Sequence, residues 1–128
     1  MEVLQSVIAI CRWFQEQNAI NQDAQKYMGQ MSGVIIRMTP VLDGLQTRGL
    51  DRAKGVLDNL WVCVRDAKRM YNKYRDGWKV GKFWVTPQGI VEKANTQTQK
   101  LYDAFRELSV ALNIHQHNLS PAQTRLRQ

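Results

Sequence analysis

LDRAKGVLDNLWVCVRDAKRMYNKYRDG, residues 50–77, carries apolar side chains at Leu50, Ala53, Val56, Leu57, Leu60, Trp61, Val64, Ala67, Met70, Tyr71 and Tyr74. They recur at intervals of three and four, the period of an α-helix, and do not alternate as in a strand. At 100° per residue, Arg65, Lys68, Arg69, Asn72, Lys73, Arg75 and Asp76 share one arc of about 160°. Ala67, Met70, Tyr71 and Tyr74 fall opposite. A helix with so sharp a division has to bury its apolar face against other elements.

Three more stripes supply the cover. Val3, Val7, Ile10, Cys11 and Phe14 form the first, with Leu4 and Ile8 alongside; the second runs Ala24, Met28, Met31, Ile35, Met38, Leu42, Leu45. The last runs Ile90, Ala94, Leu101, Phe105, Leu108, Leu112. Pro40 lies inside the second stripe and is expected to kink or reset that helix, because it removes one helical hydrogen bond. Gly49 separates the second and third helices, Gly77 suits a C-terminal cap, and Thr86-Pro87 reads as an N-cap followed by proline at the first helical position. The expected fold is all-α: an antiparallel four-helix bundle with a long connection, residues 77 to 86, between helices 3 and 4. The bundle is expected over residues 1–119. Residues 120–128, SPAQTRLRQ, read as the start of a linker.

A chain of 128 residues with 44% hydrophobic and 23% charged residues suits one folded domain. Cys11 and Cys63 sit among apolar neighbours without metal-motif spacing and read as reduced, buried thiols. The longest apolar run, Val7 to Cys11, is five residues, far below the roughly twenty of a membrane span. Any membrane contact therefore starts at the surface. No glycine-rich phosphate loop is present, since Gly77 and Gly81 lack a strand-loop-helix context. His115 and His117 would face different sides of a helix, and Asp103 and Glu107 are a surface like-charge pair. The expectation is a non-enzyme with no metal and no cofactor.

The charge is concentrated. Of a net +7, the span from Arg48 to Lys82 holds +6, with ten basic and four acidic residues. Each basic residue near an anionic bilayer contributes about 1 kcal/mol within a Debye length of about 8 Å. Arg65, Lys68, Arg69, Lys73, Arg75, Lys79 and Lys82 are the candidate headgroup ligands. Trp78, Phe83 and Trp84 either pack over the end of the bundle or form an amphipathic wedge with the lysines threaded among them. Trp13, beside the first apolar stripe, is a candidate exposed aromatic. Trp13, Trp78 and Trp84 are thus the wedge candidates. A bundle that opens at a membrane needs a weak point, and Gly29, Gly33, Pro40 and Gly44 place it in the second helix. Two other functions fit a basic bundle: helix-on-helix recruitment of proteins without lipid, and nucleic-acid binding. The second is disfavoured, because rings and charges point in opposite directions and no helix-turn-helix spacing appears.

The segments MEVLQSVIAI (1–10), TPVLDGLQTRG (39–49), KFWVTPQG (82–89) and above all LYDAFRELSVALNI (101–114) carry a resemblance. In this order and spacing, over residues 1 to 120, the chain resembles the N-terminal four-helix bundle of the mixed-lineage-kinase-domain-like family of necroptosis effectors. The resemblance implies a killer module followed, after a brace, by a pseudokinase in a longer chain. An upstream kinase phosphorylates that pseudokinase and frees the bundle. The protein then oligomerises, passes from cytoplasm to plasma membrane, binds phosphatidylinositol phosphates and permeabilises the bilayer. The resemblance would make residues 120–128 the start of the brace. One departure stands out. Glu16, Gln17, Gly29 and Gln30 occupy positions where a member of that family carries lipid-contacting basic residues, so those contacts do not transfer and the arc from Arg65 to Lys82 becomes the substitute.

Overall fold

The computed structural model describes residues 2–20, 22–45, 50–77 and 87–112, without the side chains of residues 22–25, 76, 77 and 87. Among the described residues the fold is entirely helical: α1 (Glu2–Ile20), α2 (Gln22–Asp43), a single 3₁₀ turn (Leu50–Ala53), α3 (Lys54–Gly77) and α4 (Pro87–Ala111). The four helices form a bundle. The apolar stripe that begins at Leu50 therefore enters through a tighter turn, and regular α-helix takes over at Lys54. α4 starts at Pro87, where a missing N–H costs nothing. The expected long connection, with Lys79, Lys82, Trp78 and Trp84, lies outside the described residues, as does everything from residue 113 onward.

Pro40 does not end α2. The helix runs through it for one further turn to Asp43, although the proline has no N–H to give to the turn before it. The end is then closed by the Gly44 N–H donating to the Pro40 carbonyl at 3.2 Å and the Leu45 N–H donating to the Leu42 carbonyl at 3.1 Å. The expected reset is thus corrected: the proline takes one hydrogen bond from a helix that continues.

All four stripes meet in one core. Leu4, Val7, Cys11 and Phe14 from α1, Met28, Met31, Ile35, Met38 and Leu42 from α2, Leu57, Leu60, Val64 and Tyr71 from α3, and Ile90, Leu101, Phe105 and Leu108 from α4 are buried. Each such side chain contributes about 1.5–3 kcal/mol on burial. The buried serine and threonine hydroxyls are satisfied within their own helices. Ser32 donates to the Met28 carbonyl (3.1 Å), Thr98 to Ala94 (2.7 Å) and Ser109 to Phe105 (2.9 Å), so they add no unpaired polar group to the core.

The packing order positions the basic residues. α1 packs on α2 and α3, and α4 packs on α2 and α3, while α1 and α4 do not meet among the described residues. Helix α3 therefore has α1 along one flank and α4 along the other. Its solvated arc lies between them, and the charges near either edge meet a neighbour.

Candidate functional site

On the α1 flank the charges are spent on packing. The Lys68 ammonium lies over the Trp13 ring, 5.0 Å from its centroid. Trp13 meets Phe14 edge-on at 5.0 Å and Tyr71 at 5.5 Å, and Phe14 meets Tyr71 at 5.4 Å. Edge-to-face contact sets the positive rim of one ring against the negative face of the next. The indole is half-buried and packed against the core, which corrects the expectation of an exposed aromatic. Arg75, one helical repeat beyond Lys68, donates from Nη1 to Gln17 Oε1 at 2.9 Å. Gln17 thus accepts a hydrogen bond from α3. Arg65 is also half-buried: its terminal nitrogen meets Asp66 at 3.5 Å, and its Nε is shielded without a hydrogen-bond partner.

On the α4 flank the charges stay open. Arg69 and Lys73 are exposed and line a groove of about 450 Å³ with Met70 and Tyr74 on α3 and Lys93, Thr96, Gln97 and Lys100 on α4. Among the described residues none of its four cations forms an ion pair, and no carboxylate lines the groove. The Lys73 ammonium sits 5.4 Å from the Tyr74 ring centroid. Gln97, at the buried edge, donates through Nε2 to the Cys63 carbonyl at 2.9 Å and ties α4 to α3. Thr96 donates to the Glu92 carbonyl at 3.1 Å.

The seven candidate headgroup residues thus separate. Arg69 and Lys73 come together in the groove, Lys68 and Arg75 are engaged with α1, Arg65 is held against Asp66, and Lys79 and Lys82 fall outside the described residues. Sequence reasoning missed Lys93 and Lys100. The available signal was their spacing of seven, two turns on one face, with Gln97 between them.

Burial pushes the Cys11 thiol up to about 12, against a hydrogen bond with Thr39 that lowers it. Cys63 is raised as well, first by burial and then by the Asp66 charge. Both cysteines are free and buried. Among the described residues no cluster of His, Cys, Asp and Glu has the makings of a metal site. No helix there is long and apolar enough to cross a membrane. No family model, no curated protein and no solved structure matches this chain.

Proposed function

We propose that this bundle is a non-enzymatic, membrane-targeting and membrane-disrupting module of the necroptosis-effector kind. It docks on anionic phospholipid, phosphoinositide in particular, and acts as a homo-oligomer. In this reading it belongs to a longer chain whose pseudokinase, phosphorylated by an upstream kinase, releases it from the cytoplasm to the plasma membrane. One observation carries the proposal: Arg69, Lys73, Lys93 and Lys100 converge on one face without a single ion pair among the described residues. Cations left unpaired together favour a polyanionic surface. We further infer an antiparallel, up-down-up-down course for the helices. Its support is the pairing of Cys63 with Gln97 and the facing of Lys73 and Lys93 across one groove, which run in opposite chain directions. Trp13–Tyr71 and Gln17–Arg75 run in the same direction, which suits α1 and α3 as parallel neighbours packed side by side in that scheme.

The test is dye release from liposomes, neutral against phosphoinositide-bearing, at low and physiological salt. Release that requires the anionic lipid supports the executioner reading. Binding without release leaves a targeting module that needs its oligomer or the rest of its chain. Neither binding nor release sinks the lipid reading and turns the search to a protein or nucleic-acid partner of the basic face.

A further inference from the structure

We propose that the groove between α3 and α4 holds one multiply phosphorylated ligand, and that its occupant clamps α4 to α3. The proposal rests on the anionic-ligand reading above and adds a bound stoichiometry, a spacing rule and a conformational effect.

The spacing rule follows from helix geometry. Arg69 and Lys73 are one turn apart on α3, about 6 Å, while Lys93 and Lys100 are two turns apart on α4, about 10.5 Å. A single phosphate is too small to touch both rows along their length. A ligand with two or three phosphates spread over about 6–10 Å reaches all four cations. A volume of about 450 Å³ suits one such molecule or headgroup. Each phosphate monoester carries about −1.5 to −2 at neutral pH, so two or three of them match four cations.

The polar residues of the groove refine the chemistry. The Thr96 hydroxyl proton is committed to the Glu92 carbonyl, and the Gln97 amide donates to the Cys63 carbonyl. Recognition therefore rests chiefly on the cations, with Arg69 the one among them capable of a two-pronged grip on a phosphate. Such a site counts phosphates and reads their separation. It does not distinguish the ring or chain that bears them, so a lipid headgroup and a soluble polyphosphate present the same chemistry.

The clamp follows from charge. Four cations facing one another across a helix seam repel, and the polar ties across it are the Gln97–Cys63 bond and the weaker contact from Cys63 Sγ to the Lys100 carbonyl at 4.0 Å. An anion bound to both rows cancels the repulsion and adds contacts to each helix. It binds the folded groove and not the unfolded chain, so it raises stability by mass action.

The experiment is a thermal melt of the whole chain with sodium tripolyphosphate, against orthophosphate at matched ionic strength. Tripolyphosphate at roughly 100-fold its Kd should raise Tm by about 5–10 °C and orthophosphate should not. The doubles R69Q/K73Q and K93Q/K100Q should each abolish the shift. R52Q/K54Q, with the same charge change outside the groove, should keep it. Amide exchange near residues 69–74 and 93–100 should slow with the ligand. A shift that survives both groove doubles, or that R52Q/K54Q also loses, overturns the site. Vesicles of equal surface charge, phosphatidylserine against phosphatidylinositol bisphosphate, separate the sources. A bisphosphate preference lost in K93Q/K100Q supports the site with a lipid headgroup as occupant. A tripolyphosphate shift without that preference supports it with a soluble polyphosphate. Leakage from anionic vesicles with no tripolyphosphate shift overturns the groove and leaves the membrane reading. A groove-dependent shift with no vesicle binding keeps the groove and overturns the membrane reading.

Discussion

Cys11 is fully enclosed by the core, and its thiol is pushed up to about 12 by that burial. At pH 8 about one molecule in ten thousand carries the thiolate that reacts. A colorimetric thiol reagent should therefore find Cys11 inert in the native chain and titrate both cysteines in denaturant. The linkage sign follows: the folded state holds the proton more tightly than the unfolded chain, whose ordinary value is 9.0. Stability is full below that value and falls as pH rises through it toward 12. Trp13 is the other residue whose environment sets its behaviour. Trp13→Ala removes two edge-on ring contacts and the seat of the Lys68 ammonium. The expected loss is about 2–3 kcal/mol in a urea melt, and a loss below about 0.5 kcal/mol would contradict the packing role. This seat was hidden in the sequence. The α1 stripe places Trp13 beside the core, but its cover comes from Tyr71 and Lys68 on α3, more than fifty residues away. Tyr71 itself was legible as a residue turned away from the charged arc.

At the scale of elements, the positions where apolar residues recur were legible because a 3.6-residue period survives any arrangement of partners. Phe14, Met31, Leu60 and Phe105 are buried as their stripes require. The groove was not legible, because it depends on the rotation of α4 against α3 and on which helix flanks which. Lys93 and Lys100 gain a role only once α4 lies beside Arg69 and Lys73. The weak point in α2 can now be stated more narrowly. A Cβ at Gly33 would meet the Arg37 guanidinium at 3.5 Å, and one at Gly44 would meet the Pro40 carbonyl at 3.5 Å, both ordinary contacts. Gly33→Ala should therefore stabilise the chain by about 0.5–1 kcal/mol through helix propensity and a less entropic unfolded state. If α2 opens first at a membrane, the same substitution slows dye release while vesicle binding stays unchanged. Amide exchange gives the companion check: α2 should exchange faster than α4, and equal protection would remove α2 as the opening element.

At the scale of the whole molecule, the two flanks of α3 use the same charge for different ends, and that division is testable. Lys68 and Arg75 join α3 to α1, so K68Q/R75Q should lower Tm and leave vesicle binding intact. Arg69, Lys73, Lys93 and Lys100 repel one another across the groove, so replacing all four with Gln should leave Tm unchanged or raise it. Binding should suffer instead. At about 1 kcal/mol per basic residue near an anionic surface, four contribute about 4 kcal/mol, roughly a thousandfold in partitioning at low salt. Salt supplies an independent control. The Debye length contracts from about 8 Å at 0.15 M to about 3 Å at 1 M, so the native chain at high salt should bind anionic vesicles no better than the four-Gln variant does. A sedimentation assay across a salt series reads both effects. If K68Q/R75Q lost binding as severely as the four-Gln variant, the α1 flank would be part of the docking surface and the two-flank division would be wrong. If neither variant lost binding, the charge that docks the bundle would have to come from outside these six residues, with Lys79 and Lys82 the next to replace.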